Sequence, residues 1–488
     1  MSEVSVSLLP EVAKFTAKSE AKPNKVPLPT LVEINPFYLK IADRIAEISG
    51  TWNPVEIFTA DNVTKEKEEF FKRFKDHQEY NPVFNYSHAQ SMDLTKDRET
   101  LMGLLRELRG SAVPKGGESD VNRKARAALY YKIRDDLATC DLVDGFNAGD
   151  EAKISSALHT KYRKYEDALG EEAEKIYQAM LGGEEPEKKE IKARLSAEEI
   201  TLLKNQQFDA EGIKKAFEWA MDQCGMPHDR QDKPGYRVVI DEKATEIDVR
   251  DKTANGSTIV IPRNRKVSGD KLLRLIMHEI VGHARQSLNG SELFRLGGGK
   301  LKPDDETLYE GLAMRLEENF RKEYLGEAVV TPMPFYAFSV KAAENGASFW
   351  DVFSDLYKKL KAVPPDKLPI LRDPSAYEGE ILKEAWKYTY RVFRGHLDTS
   401  NKKSPFANPR DLVYLNGWLT DKQLVQKGHG HINEAAVFAS GALQMVADYE
   451  LKEENLPYKF KDVARAYWSE VLKPQMEEET KANQKLMV

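Results

Sequence analysis

Three side chains in the run from Leu272 to Gly290, LLRLIMHEIVGHARQSLNG, can do chemistry together: His278, Glu279 and His283. Two imidazoles and a carboxylate are donor types from which sites for a divalent ion are built. A glutamate beside such an ion, but not ligating it, is placed to take a proton from water. The spacing is unusual. Helical zinc sites set two histidines four apart, so that both rings point to one side. Here the separation is five, and on an ideal α-helix residues five apart lie ~140° around the axis. The pattern therefore predicts one extra residue in the helix as a π-bulge, a distortion found mostly at functional sites. Gly282 is the natural place for it, because glycine tolerates distorted backbone. A zinc site also needs a third protein ligand and keeps a fourth position for water. Glu306 and Glu310, four apart on an expected helix, share a face, and either could reach the ion. Glu317 and Glu318 read as a solvated face.

The elements that must hold these groups are legible around them. Leu272, Leu273, Leu275, Ile276, Met277, Ile280 and Val281 cover most of the helix circumference, which predicts a central, buried helix. Burying polar groups without partners costs several kcal/mol, and an ion removes that cost. Ser268 is the expected N-cap, Asp270 puts negative charge in the first turn, and Asn289-Gly290 is the expected C-terminal stop. Upstream, Tyr236–Asp241 and Ala244–Arg250 alternate as strands, Asn255-Gly256 is a turn, and Ser257–Ile261 is a β-branched strand leading to the helix. A strand edge beside a metal helix can hold an extended peptide by backbone hydrogen bonds.

HEIVGH followed by YEGLA (Tyr309–Ala313) is similar to a family of metallopeptidase-like proteins named for a QEGLA motif, whose eukaryotic members are the microtubule-associated tyrosine carboxypeptidases. The family pattern is HExxxH, then EGLA with its glutamate as third zinc ligand, which selects Glu310 over Glu306. The resemblance extends to Ser257–Leu272, Tyr80–Phe84 (YNPVF), Arg391–Gly395 (RVFRG) and Asp411–Gly417 (DLVYLNG), roughly residues 35 to 420. The chain departs from it in having Tyr309 where the family name has Gln, and Gly282 where many members have Thr. The resemblance implies an α+β, mostly helical fold: a zincin-like core with a short sheet before the metal helix and a helical N-terminal region. It implies one Zn2+ per chain on His278, His283 and Glu310, with Glu279 as general base.

Zinc on neutral imidazoles and a carboxylate acidifies water and polarises a carbonyl, and Glu279 then passes the water's proton to the leaving amine. Peptide hydrolysis without a covalent intermediate is the expected reaction. Release of a C-terminal residue (tyrosine, another aromatic or glutamate) from a peptide or protein tail needs a cation for the terminal carboxylate, which arginine binds with two hydrogen bonds. Arg391, Arg394 and Arg410 are the candidates, and Tyr414 can donate to the oxyanion or the carboxylate. HEIVGH also resembles the HExxGH of dipeptidyl peptidase III, an aminopeptidase reading, but that family's second motif lies tens of residues downstream and reads differently. A non-catalytic regulatory protein on the same fold is the third reading. All three ligands and Glu279 are present, which argues against it.

Composition bounds the rest. At 488 residues, with 41% hydrophobic and 31% charged residues, the chain has a globular balance. A net charge of −6 gives no electrostatic case for nucleic acid or an anionic membrane. No apolar run is long enough for a transmembrane helix and no signal peptide is apparent, so the expected location is cytoplasmic. Cys140 and Cys224 read as free buried thiols in a reducing cytosol. Three regions are expected: a tail over 1–30, a helical region over 31–190 closed by the polar break at Gly182-Gly183, and a catalytic region over 191–488. Within them helices are expected at 36–49, 65–77, 97–108, 122–137, 151–169, 171–181, 209–224, 349–360, 377–393 and 432–450, and a capping box at Ser196–Glu199. His429-Gly-His431 and His396 read as loop histidines. Nothing in the sequence specifies the oligomeric state.

Overall fold

The computed structural model describes residues 35–49, 52, 57–111, 119–162, 165–182, 193–227, 235–242, 244, 246–253, 256–294, 306–327, 334–365, 368, 377–402, 405–426 and 463–475. Within them the chain is α+β and mostly helical, with two small sheets. The expected tail, helix 432–450 and His429-Gly-His431 lie outside the described residues. Helix ends largely follow local chemistry. Ser196 and Glu199 make the reciprocal capping box: Glu199 N–H donates to Ser196 Oγ at 3.2 Å, and Ser196 N–H donates to Glu199 Oε2 at 2.8 Å. The helix expected at 122–137 runs from Asp120 to Ala148 and stops at Gly149, whose φ of 65° suits glycine. The helices expected at 151–169 and 171–181 run Glu151–Lys161 and Asp167–Met180; the first ends early because Tyr162 turns to extended backbone (ψ 145°), and the second begins earlier.

The described residues fall into two units, one within 48–189 and 329–419, the other within 35–47, 190–328 and 420–475. Residues 183–192 lie outside the described residues, and 329–419 groups with the first unit. Aromatic packing accounts for this. Phe70, fully buried on helix Val63–Lys75, meets Phe349 edge-on at 5.2 Å and Phe353 at 4.6 Å between ring centroids, with Trp386 at 5.3 Å. The helices Phe349–Ala362 and Tyr377–Val392 thereby complete a core begun far upstream. The Tyr80–Phe84 segment is anchored to it: Tyr80 OH (2.6 Å) and Val83 N–H (3.1 Å) both donate to the buried Glu66, and Trp350 N–H donates to Asn81 Oδ1 at 3.0 Å.

The second unit carries the histidine helix. Between residues 197 and 325 its elements in order are α1 (Ala197–Asn205), β1 (Gln207–Phe208), α2 (Ala210–Gln223), β2 (Tyr236–Asp241), β3 (Asp248–Thr253), β4 (Gly256–Pro262), β5 (Val267–Ser268), α3 (Gly269–Leu275), a π-helical segment (Ile276–Ala284), α4 (Arg285–Phe294) and α5 (Glu306–Leu325). In the larger sheet β4 is central, parallel to β2 (Val238 opposite Ile259) and antiparallel to β3 (Asp248 opposite Val260). Both edges of β4 are therefore used. The strand expected to offer a free edge is paired on both sides, and among the described residues the outer edges of the sheet belong to β2 and β3, with β3 packed against the π-helical segment. β5 pairs with β1 and leads directly into α3.

The caps differ from expectation in two places. Ser268 occupies the N-cap position, but its hydroxyl bonds the Asp270 carboxylate and not a backbone N–H. Asn289-Gly290 does not stop the helix, which continues as α4 to Phe294. Asn289 is fully buried there, and glycine away from a positive φ merely weakens a helix by about 1 kcal/mol.

Leu272, Leu273, Ile276, Met277, Ile280, Val281 and Ala284 are all buried, so the helix is central as its composition predicts. The extra residue is spread over nine residues, Ile276–Ala284, as a π-helical stretch. Gly282 lies inside it and does more than tolerate the distortion. A Cβ there would sit 3.0 Å from both the Cα and the Cβ of Ala313 on α5, tighter than nine in ten real Cβ contacts, so that the α5 backbone would have to give by a few tenths of an ångström. The absence of a side chain at 282 and the smallness of Ala313 let α5 approach the π-helical segment. Gly282→Ala is expected to destabilise the protein by about 1–3 kcal/mol through overpacking, read by denaturant unfolding. Gly212→Ala, where the nearest neighbour of a Cβ is the Phe208 side chain at 3.3 Å, is expected to cost less.

Candidate metal centre

His278, Glu279 and His283 sit in the π-helical segment, and Glu310 sits on the second turn of α5, which packs on it. In a turn hydrogen-bonded i to i+5, residues five apart return to nearly the same side. The two imidazoles accordingly face one another edge to face, with ring centroids 4.7 Å apart. Glu310 reaches both: Oε2 is 3.5 Å from His278 Nε2, and Oε1 is 3.7 Å from His283 Nε2. One donor atom from each of the three lies within 4.8 Å of the others, and the group is largely buried. Glu306 is the first residue of α5, one turn before Glu310.

These separations are longer than a charge-assisted hydrogen bond and leave room for an ion among the three side chains. A charge-assisted N–H···O bond closes to roughly 2.7–2.9 Å. Two donors each about 2.0–2.1 Å from a tetrahedral zinc stand ~3.3–3.5 Å apart. The histidine–glutamate distances fall near the second range. Glu310 Oε2 is moreover buried and makes no hydrogen bond. Two nitrogens and one carboxylate form the donor set of an open, three-ligand zinc site, so the residues fit the ion.

Electrostatics separate the roles of the neighbouring acids. Burial raises the Glu279 carboxyl to about 8; His278 opposes the rise, while Glu310, Asp248 and Glu317 add to it. His278 is pushed down by burial, but the Glu310 and Glu317 carboxylates overcome this and hold it well above the ordinary histidine value. Glu317 is raised by burial and lowered more strongly by His278 and Arg274, so it stays ionised. A glutamate poised near neutrality is suited to accept and release a proton.

Several contributors escaped the sequence reading. Tyr309, buried, stacks on His283 with centroids 3.9 Å apart and planes 15° from parallel. Glu317 is not a solvated face: Oε2 lies 3.6 Å from His278 Nδ1. Its seven-residue offset from Glu310 was the available signal, since residues seven apart return to one helix face. Glu318 instead pairs with Lys322. Arg285 is fully buried and donates through Nε to the Val281 carbonyl at 2.8 Å, capping a main-chain acceptor of the distorted segment.

Arg391, Arg394, Arg410 and Tyr414 belong to the first unit, the histidines and Glu310 to the second. Arg391 donates to Tyr336 OH at 2.9 Å and to Asp411 Oδ1 at 3.3 Å. Arg394 lies over the Tyr390 ring at 5.3 Å. Arg410 N–H donates to Asn408 Oδ1 at 3.1 Å, and Tyr414 stacks near Tyr336. His396 is fully buried, stacked on Phe406, with Nε2 2.8 Å from the Phe406 carbonyl; burial lowers it to about 4. It is a core histidine. Cys140 and Cys224 are free and buried, and burial pushes the Cys140 thiol to about 12. No helix among the described residues is long and apolar enough to cross a membrane.

The sequence matches no family model, and no curated protein matches it either.

The Glu279 value carries a pH dependence for the ion-free protein. Its folded pKa lies above the unfolded one, so between about 4.5 and 8 the unfolded chain has already released a proton that the folded chain keeps. Stability then falls as pH rises through that window. Glu279→Gln in ion-free protein is expected to flatten the fall, with its advantage over the unaltered chain growing from pH 5 to pH 8 in denaturant melts. Equal slopes for the two proteins would contradict the assignment.

Proposed function

We propose that this chain is a metal-dependent peptidase holding one zinc per chain on His278, His283 and Glu310. The observation that carries the reading is the convergence of those three side chains, two of them from one π-helical turn. Glu279 is the general base. When bound, a divalent ion supplies Lewis acidity to water and to the scissile carbonyl. Glu279 accepts the proton of the attacking water and delivers it to the leaving amine. Tyr309 and the apolar lining of the helix restrict how the imidazoles can turn. The edge of β3, outermost in the sheet among the described residues and packed near the π-helical segment, is the place for an extended peptide to pair by backbone hydrogen bonds. Attack by water with Glu279 shuttling its proton leaves no covalent enzyme intermediate.

Within this class we favour a carboxypeptidase acting on peptide or protein tails, the direction in which the HEIVGH and YEGLA resemblance points. Terminal-carboxylate recognition falls to an arginine. Arg391, Arg394 and Arg410 are the arginines to test, with Tyr414 as an oxyanion or carboxylate donor.

Elemental analysis of the purified chain is expected to find about one zinc per molecule, lost in His283→Ala. A folded chain without stoichiometric metal would sink the proposal. With metal established, peptides blocked at one terminus decide direction: cleavage of N-acetylated but not C-amidated substrates is expected, and the reverse pattern would make the enzyme an aminopeptidase. Arg391→Ala, Arg394→Ala or Arg410→Ala is expected to raise KM for the free-acid peptide. No change in any of them leaves the carboxylate contact elsewhere.

A further inference from the structure

We propose that Glu317 is the positioning residue of the metal site: it holds His278 so that Nε2 faces the ion, and Arg274 holds Glu317 in turn. The inference rests on the metal reading above. His278 has two ring nitrogens and two carboxylate neighbours, one for each. Nε2 lies 3.5 Å from Glu310 Oε2, on the side that also meets His283, and Nδ1 lies 3.6 Å from Glu317 Oε2. Lone pairs on the two nitrogens of one imidazole diverge, so an ion bound at one cannot be reached from the other. Glu317 is thereby excluded from the ligand set and placed where the outer carboxylate of a metal-bound histidine belongs. Nδ1 of His278 is buried and makes no shorter contact that would satisfy it. A neutral imidazole carrying its proton at Nδ1 donates to Glu317 and leaves the Nε2 lone pair for the ion.

The other oxygen of Glu317 is also engaged: Oε1 stands 3.5 Å from Arg274 Nη1. Helix periodicity explains why the chain can build this line. Residues 310 and 317 are seven apart on α5, within ~20° of the same stripe, with small Ala313 between them. Arg274 and His278 are four apart, one turn of the facing helix. The close approach at Gly282 and Ala313 brings the two stripes together, so that Arg274, Glu317, His278 and Glu310 follow one another in space. One helix, α5, therefore delivers the third ligand and the group that aims the first.

The test uses the full chain loaded with zinc, and separately with cobalt, comparing unaltered protein, Glu317→Gln and Glu318→Gln. Glu317→Gln keeps the size of the side chain and removes its charge. It is expected to weaken zinc binding ~10–100-fold in a chelator competition and to shift the visible absorption of the cobalt form. Glu318→Gln, at a carboxylate paired with Lys322, is expected to change neither. Equal zinc affinity and an unchanged cobalt spectrum in Glu317→Gln would overturn the inference while leaving the metal reading intact. Failure of the unaltered protein to bind zinc would overturn the metal reading itself, and this inference with it. Should Glu317→Gln not fold, nitrogen NMR of the zinc-loaded unaltered chain decides: a proton on Nδ1 of His278 with Nε2 metallated is expected, and metallation of Nδ1 refutes the proposal.

Discussion

The approach of α5 to the π-helical segment, backbone against backbone at Gly282 and Ala313, is the constraint on which the site depends. It puts Glu310 within reach of both histidines, Tyr309 on the face of His283 and Glu317 on the far nitrogen of His278. One added methyl group at 282 intrudes on the axis of that contact. The segment can afford no bulk there because the sheet and α2 already press on its other sides.

The π-helical stretch solves a different problem. An α-helix would splay two histidines five apart; i to i+5 hydrogen bonding brings them back to one side, at some loss of main-chain bonding. Part of that loss is recovered by Arg285, whose guanidinium is sunk in the core to serve the Val281 carbonyl. A distorted helical turn kept in a buried core is the pattern expected where function and stability compete.

Charge is arranged so that buried groups rarely face the interior alone. Glu310 and Glu317 flank His278, Arg274 flanks Glu317, and burial lifts Glu279 toward neutrality while His278 and Arg274 hold Glu317 ionised. Two carboxylates on the same helix acquire opposite duties from their surroundings: one converges with both imidazoles, the other meets only the outer nitrogen and a guanidinium.

The sequence by itself determined what is local. The HExxxH spacing implied a departure from α-helical geometry; the apolar circumference implied a buried helix; Ser196 with Glu199 implied a cap; Val and Ile runs implied β2 and β4. Each follows from periodicity or from side-chain-to-backbone hydrogen bonding within a few residues. Tertiary structure decided what depends on distant partners. Asn289-Gly290 has the composition of a stop but lies in a helix whose burial outweighs it, and Ser268 spends its hydroxyl on Asp270. The strand just before the metal helix lost its free edge because strands on both sides paired with it. Residues 329–419 joined the first unit because Phe70 needed their aromatic rings. Glu317, whose seven-residue offset from Glu310 was its one signal in the sequence, took its place beside His278 because Gly282 and Ala313 let two helices meet.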